Sequence, residues 1–219
     1  MTFAWFDRVY CIHLPNAERR AAIEAQFASV GIADVKYLHA KPPGRDFKMS
    51  NLCRANANAG EFGANMSHVK ALVRAIAEGS ERPLFLEDDI VFREGAVERL
   101  AAALADLPAD WDMLYLGGHP RGAVTRVGAS LVQISGGWSF AESYSIRRPA
   151  LLGAFDHWTN RITQPRAVYD HILGEYAAAR RSFCVYPVLT DQPPGWSQIG
   201  RKVDDKRHLV ERGWQNNLA

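Results

Sequence analysis

Cysteine is scarce in this sequence, with three residues among 219. Cys11, Cys53 and Cys184 lie far apart, form no CxxC pair and show no Cys/His spacing typical of a metal site. An odd number of dispersed cysteines argues against a disulfide framework. Because Cys11 and Cys184 fall inside apolar runs, the pattern predicts buried thiols in a reducing compartment and argues against a thiol nucleophile.

A strong charge of one sign and long hydrophobic runs are also absent. The chain has 26 Lys and Arg against 24 Asp and Glu, a net charge of +2, which argues against a nucleic-acid partner. No segment approaches the roughly 18 uninterrupted apolar residues of a membrane-spanning helix, and the N-terminus lacks the pattern of a signal peptide. These absences predict a soluble, cytoplasmic protein.

The length and the 47% hydrophobic content are sufficient for one well-buried domain. We predict a single domain over residues 1–200 and a polar, basic C-terminal tail over residues 201–219. The tail contains five basic residues: Arg201, Lys202, Lys206, Arg207 and Arg212.

Strands and helices alternate through the first half of the predicted structure. Strands are expected at 9–14, 34–40, 83–86 and 112–118, with an irregular connection over 41–59. Asn16 is a candidate N-cap of the first helix, and Gly31 is placed to end it. The helix near 60–77 has a predicted core-facing stripe at Phe62, Met66, Val69, Val73 and Ile76.

The second half suggests a hairpin (123–137), a strand (138–146), two helices (about 149–158 and 166–181) and a final strand (182–189). A third predicted helix spans about 95–107. This order predicts an α/β fold with a mostly parallel, Rossmann-like sheet flanked by helices.

Three consecutive carboxylates follow the apolar strand in "RPLFLEDDIVF" (82–92). In an extended chain Glu87 and Asp89 share one face and Asp88 points the other way. Carboxylate oxygens are the ligands that Mg²⁺ and Mn²⁺ prefer, and ligands of open α/β sheets bind beyond the carboxyl ends of the strands. The triplet is therefore a candidate metal site, and a solvated turn at the strand end is the alternative.

Four segments carry a family resemblance: "IHLPNAERR", "GEFGANMSHVKAL", "PLFLEDDIVF" and "WDMLYLGG". In this order and spacing, they resemble glycosyltransferase family 25, which includes bacterial lipooligosaccharide galactosyltransferases and procollagen galactosyltransferases. The resemblance covers residues 8–118 well. It is thinner afterwards, where "VYDHIL" and "YPVLTDQ" followed by "SQI" are similar to late family segments.

The resemblance implies a GT-A-like fold and an inverting transfer of a hexose, galactose by default, from a UDP-sugar to a glycan or glycolipid hydroxyl. It implies Mn²⁺ or Mg²⁺ held by Glu87 and Asp89, and Asp170 of "VYDHIL" as the general base. The donor-binding residues that it implies are Leu14, Arg19, Arg20, Ser67, His68, Glu87 and Asp88.

The chain departs from the family pattern at His13, where the family has Asn, and at Ala64, where it has Cys. The acidic triplet is intact, so these departures bear on the identity of the donor more than on the metal chemistry.

Three other functions compete with glycosyl transfer. A catalytically silent relative would bind a sugar nucleotide or a glycan without turnover. A two-metal phosphohydrolase would need further ligands, for which Asp156, His157 and His171 are available. An interaction module would use the basic tail, which could also make a peripheral contact with an anionic membrane.

Overall fold

The computed structural model describes residues 2–40, 59–162, 164, 168–197, 202–205 and 207–218. The connection predicted as irregular lies outside the described residues from 41 to 58. After a short 3-10 helix at Thr2–Trp5, the helices are α1 (Ala17–Val30), α2 (Ala59–Ala77), α3 (Ala96–Asp106), α4 (Arg148–Arg161), α5 (Tyr169–Ala178) and α6 (Arg207–Asn217).

The strands are short, and several belong to small two-stranded pairings outside the main sheet. In chain order they are β1 (Arg8–His13), β2 (Val35–His39), β3 (Pro83–Glu87), β4 (Val91–Phe92), β5 (Met113–Tyr115), β6 (His119–Pro120), β7 (Val124–Arg126), β8 (Leu131–Ile134), β9 (Trp138–Ser139), β10 (Ser143–Ile146), β11 (Ser182–Val185), β12 (Thr190–Asp191), β13 (Gly195–Ser197) and β14 (Lys202–Asp204).

The main sheet has eight strands in the order β2-β1-β3-β10-β5-β11-β8-β7. This confirms the predicted α/β class, with a large sheet flanked by helices. The sheet is mixed, however, and not mostly parallel. β1 pairs in parallel with β2 and β3, and β5 with β11, whereas the other four pairings are antiparallel. β10 follows β5 through short paired strands, without a crossover helix, and therefore returns antiparallel to it.

Helices cover both faces of the sheet. One apolar core contains Leu72 of α2, Leu151 of α4, Ile172 of α5 and Trp214 of α6. The other contains buried residues of α1 and α3, together with Phe3 and Phe6 from the N-terminus. The first two crossovers, through α1 and through α2, thus lie on opposite faces.

The boundaries of α1 are as predicted from the sequence. The side chain of Asn16 accepts a hydrogen bond from the backbone N–H of Arg19 at 3.0 Å. Gly31 has a φ of 73°, a left-handed conformation that glycine adopts at little cost.

The predicted core-facing stripe of α2 is wrong at two positions. Met66 and Val73 are 42% and 46% exposed. The buried face is rotated and carries Asn65 and His68 beside Leu72. The indole N–H of Trp158 donates to Asn65 Oδ1 at 3.1 Å, so this polar group is buried with a partner, as burial requires.

The segment predicted as a polar tail includes α6. Trp214 of this helix is buried, packs edge-on against Trp138 and donates its indole N–H to the carbonyl of Gly118 at 3.2 Å. A domain boundary at residue 200 stays a prediction. Within the described residues, no helix combines the length and the apolar character needed to cross a bilayer.

Candidate active site

The acidic triplet lies at the point where the chain reverses its winding. β1 is central to the β2-β1-β3 unit. The crossover from β1 to β2 through α1 and the crossover from β2 to β3 through α2 lie on opposite faces of the sheet. In open α/β sheets, such a reversal opens a crevice beyond the carboxyl ends of the two adjacent strands, which here are β1 and β3. Ile12 of β1 is in register with Glu87 of β3, so the ends of both strands border this crevice.

Asp88 links β3 to β1. Its carboxylate accepts the backbone N–H of Leu14 at 2.8 Å and pairs with the Arg19 guanidinium at 3.1 Å. Burial raises the pKa of Asp88, and the Leu14 N–H and Arg19 act against that increase. The predicted donor-binding residues Leu14, Arg19 and Asp88 therefore lie together.

Glu87 and Asp89 converge on one side-chain amide. Gln192 Nε2 donates to Glu87 Oε2 at 2.8 Å and to Asp89 Oδ1 at 3.0 Å. β3 ends at Glu87 and the chain turns there, yet the two carboxylates still lie on a common side while Asp88 faces β1. Because residues 88 and 89 form a turn and Arg19 contacts both Asp88 and Asp89, this arrangement does not come from the alternation of an extended strand.

The two arginines at the start of α1 have different surroundings. Arg19 bridges the triplet, since the same Nη2 atom lies 2.6 Å from Asp89 and 3.1 Å from Asp88. Arg20 pairs with Glu24 at 2.5 Å, and its guanidinium covers the Tyr37 ring at 3.0 Å. Of the two, Arg19 is the one that contacts the triplet.

His68 reaches the triplet from α2. Its Nε2 donates to Glu87 Oε1 at 3.0 Å, and its Nδ1 lies 3.1 Å from the Tyr144 hydroxyl. The imidazole stacks on the Tyr169 ring with centroids 4.0 Å apart. By contrast, Ser67 is buried and donates to the carbonyl of Gly63, in its own helix, at 2.7 Å.

Two tyrosine hydroxyls complete the network around His68. The hydroxyls of Tyr144 and Tyr169 lie 2.7 Å apart, and burial raises the pKa of both. Both hydroxyls therefore remain protonated at neutral pH. The Tyr144 hydroxyl contacts Nδ1 of His68 and the Tyr169 ring stacks on the imidazole, so the two tyrosines together orient Nε2 towards Glu87.

Asp170 is in the first turn of α5. One carboxylate oxygen accepts the backbone N–H of Phe140 at 3.1 Å, and the other accepts the N–H of His171 at 2.9 Å. Phe140 has a φ of 69°, which is uncommon for a residue with a side chain. Asp170 therefore stabilises the loop between β9 and β10.

A narrow cleft with room for about one water molecule lies between the surroundings of the triplet and those of Asp170. Gln192, which contacts Glu87 and Asp89, lines one part of it, and Phe140, which contacts Asp170, lines another. The full lining is Gly118, Phe140, Glu142, Thr190, Asp191, Gln192 and Val210.

Sequence reasoning did not single out Glu142 or Gln192. Gln192 lies within "YPVLTDQ", which carries part of the family resemblance, and this was the available signal. Glu142 lies in "WSFAESYSI", where neither periodicity nor a motif marks it. In the structure both residues line the cleft, and Gln192 also contacts Glu87 and Asp89.

The residues at Glu87 and Asp89 fit a hard divalent cation. One oxygen of each carboxylate contacts the side-chain nitrogen of Gln192. Oxygen ligands suit Mg²⁺ and Mn²⁺, which keep further coordination positions for water and phosphate. In the described part of the chain, no group of three or more His, Cys, Asp or Glu side chains is arranged to hold a metal. A cation here would take its remaining ligands from water or substrate.

The residues available to a phosphohydrolase lie elsewhere. The ring of His157 is tilted against that of Tyr176, and His157 Nε2 lies 3.8 Å from Glu175, where α4 packs against α5. His171 lies 4.0 Å from Asp170. Neither contact involves the triplet.

Comparison with solved structures finds distant similarities. The chain is similar to A197 from STIV (14% identity, 90% of this chain and 94% of that chain covered, TM-score 0.47). It is similar to the mannose-1-phosphate geranyltransferase from Thermus thermophilus (13%, 84% and 76%, TM-score 0.45). It is also similar to a glycosyltransferase involved in glycosylation of the major capsid of PBCV-1 (11%, 76% and 72%, TM-score 0.38). With every TM-score below 0.5, none of these similarities assigns a function. No protein-family profile and no curated protein matches the chain.

Proposed function

We propose that this chain is a metal-dependent glycosyltransferase that moves a hexose from a nucleotide sugar to a hydroxyl group of a glycan or glycolipid. The observation that carries the proposal is the convergence of Glu87 and Asp89 at a strand end that borders the switch-point crevice. A GT-A-like fold and membership of glycosyltransferase family 25 are part of the proposal.

Glu87 and Asp89 are the proposed ligands of Mn²⁺ or Mg²⁺. When bound, the cation supplies Lewis-acid stabilisation of the departing nucleoside diphosphate. Arg19 lies beside this position and carries the positive charge that suits a diphosphate. Leu14, Arg20, Ser67, His68 and Asp88 are the other proposed donor-binding residues, and His68 contributes through its hydrogen bond to Glu87.

The transfer needs one proton acceptor. The hydroxyl oxygen of the acceptor attacks C1 of the sugar, the bond from C1 to the diphosphate oxygen breaks, and the electron pair leaves with the diphosphate. A carboxylate takes the hydroxyl proton. Asp170 is the base proposed from the family resemblance, and the attack inverts C1.

The finer assignments are also proposals. From the resemblance, the donor is a UDP-hexose, with galactose as the default. From the sequence composition, the protein works in the cytoplasm, and the basic residues 201–212 make a peripheral contact with an anionic membrane, where a glycolipid acceptor would reside.

Calorimetric titration tests the proposal. UDP and UDP-galactose are titrated into the wild type and Asp89→Ala, with and without Mn²⁺. Binding that requires Mn²⁺ and is lost in Asp89→Ala supports the proposal, and Glu94→Ala, an exposed carboxylate after β4, serves as the matched control. Equal binding without Mn²⁺ removes the metal role of the triplet.

Turnover separates the enzyme from a silent relative. Transfer is followed by mass spectrometry of the released nucleoside diphosphate, with a panel of nucleotide sugars. Metal-dependent binding without turnover of any donor would identify a binding protein and contradict the proposed activity.

A further inference from the structure

Glu142 is a carboxylate buried in the wall of the cleft. Only 3% of the residue is exposed, and it lines the same cleft as Gln192 and Phe140. A buried carboxylate is costly, and at such a position it is a candidate for a functional role.

The sheet places Glu142 opposite Glu87. Ser143 of β10 is in antiparallel register with Leu86 of β3, and the N–H of Glu87 donates to the carbonyl of Glu142 at 2.8 Å. Residues opposed in this way project to the same face, with Cβ atoms about 4.5–5.5 Å apart. Glu142 thus faces the cleft beside a proposed metal ligand.

Tight packing limits where the Glu142 side chain can lie. A Cβ atom built on Gly117 would be 2.2 Å from Glu142 Oε1 and 2.2 Å from Thr190 Oγ1. Only a glycine at position 117 allows this approach. The carboxylate is therefore packed against Gly117, which follows β5, and against Thr190 of β12.

The contacts of Asp170 hold a loop. Both of its carboxylate oxygens accept main-chain N–H groups, and one of them stabilises the left-handed backbone at Phe140. Asp170 is not part of the cleft lining, whereas Glu142 is.

We propose that Glu142, in place of the Asp170 that the family resemblance implies, is the general base of the transfer and that Asp170 is a positioning residue for the loop at Phe140. This inference rests on the proposed glycosyltransferase function. The Glu142 carboxylate takes the proton of the attacking hydroxyl as the new bond forms at C1 and the diphosphate departs with the electron pair of the broken bond. With water as the acceptor, the same step hydrolyses the donor.

Hydrolysis of UDP-galactose in the presence of Mn²⁺ gives an assay that needs no identified acceptor. Glu142→Gln, which preserves size, is expected to lower kcat by about 100-fold or more, the contribution typical of general-base catalysis. Mn²⁺-dependent binding of UDP, measured by calorimetry, is expected to stay at the wild-type value. The fall in kcat of the wild type on acidification is expected to disappear in the variant.

Small-molecule rescue distinguishes a base from a structural residue. Glu142→Ala is expected to regain hydrolysis when formate is added, because formate can accept the proton in the space left by the side chain. Asp170→Asn is the matched comparison. Its kcat is expected to fall on acidification as the kcat of the wild type does, which is the acid limb of the pH profile.

The outcomes separate this inference from the proposed function. A wild type without Mn²⁺-dependent UDP binding and without hydrolysis overturns both. A hydrolysing wild type with an equally active Glu142→Gln overturns the role of Glu142 alone. Loss of Mn²⁺-dependent binding in Glu142→Gln would instead make Glu142 a metal ligand, and loss of the acid limb in Asp170→Asn would return the base to Asp170.

Discussion

The side-chain nitrogen of Gln192 lies 2.8 Å from Oε2 of Glu87. The same nitrogen lies 3.0 Å from Asp89, so one neutral amide separates two carboxylates that would otherwise repel each other. A cation that binds both carboxylates must displace this amide. Gln192 therefore competes with the metal that we propose.

Gln192→Leu is expected to tighten Mn²⁺ binding by about tenfold, because hydrogen bonds to charged groups contribute about 1.5–3 kcal/mol and the metal no longer has to break them. Titration of Mn²⁺ followed by electron paramagnetic resonance measures the change. Gln215→Leu, on the exposed side of α6, is the matched control. Weaker binding in Gln192→Leu would show that the amide helps to hold the metal.

His68 is expected to support metal binding through Glu87. Its Nε2 orients the carboxylate, and groups that orient metal ligands typically contribute a factor of about 10–100 in affinity. His68→Ala should therefore weaken Mn²⁺ binding by about that factor, as measured in the same titration.

Tyr169→Phe is the control for His68. It removes the hydroxyl that contacts Tyr144 but keeps the ring that stacks on His68. Its Mn²⁺ affinity should stay near that of the wild type. If both variants lose the metal equally, the network acts as a unit and His68 has no separate role.

The first half of the fold was accessible to sequence reasoning because its signals are local. Asn16 and Gly31 determine where α1 begins and ends through bonds to neighbouring residues, and the apolar run before Glu87 indicates β3. The shared contact of Glu87 and Asp89 is not such a local signal, because residues 88 and 89 form a turn and the contact is made by Gln192.

Other features depend on partners that are distant in the chain. Gln192 is 105 residues from Glu87, and the antiparallel position of β10, which places Glu142, depends on the order of strands in the sheet. On α2, His68 is buried because Glu87, Tyr144 and Tyr169 supply its contacts. Hydrophobic periodicity treats such polar residues as exposed, so it rotated the predicted buried face.

Val69 and Val73 test the corrected face of α2. Val69 is 6% exposed and Val73 is 46% exposed. Val69→Ala is expected to lower the free energy of unfolding by about 1–3 kcal/mol, and Val73→Ala to change it by no more than about 0.5 kcal/mol. Urea denaturation measures both changes. Because both variants replace Val with Ala in the same helix, the contribution of helix propensity cancels when the two changes are compared. Equal losses would restore the originally predicted stripe.

Glu78 is expected to make stability depend on pH. Its hydrogen bond from Lys36, together with those from Tyr10 and Arg74, lowers the pKa of Glu78 to about 2 from 4.5. Because the folded-state pKa is depressed, this stabilisation is complete above pH 4.5 and is lost as the pH falls through about 2.

Glu78→Gln should therefore lower the free energy of unfolding at pH 7 by roughly 0.5–1 kcal/mol, as is typical of partly exposed ion pairs. The difference from the wild type should shrink as the pH falls below 4.5. Urea titrations at a series of pH values measure it, with Glu98→Gln on the exposed surface of α3 as the control. A constant difference at all pH values would rule out the ionised pair as its cause.

Trp214 tests whether α6 is part of the folded domain. Its ring packs against Trp138 and Tyr186, and Val210 of the same helix lines the cleft. Trp214→Ala is expected to lower the free energy of unfolding by about 3–5 kcal/mol, measured by urea denaturation. Leu209→Ala, at a position that is 41% exposed, is expected to cost no more than about 0.5 kcal/mol. A small effect of both substitutions would mean that α6 is dispensable to the core and that the segment behaves as the tail predicted from its composition.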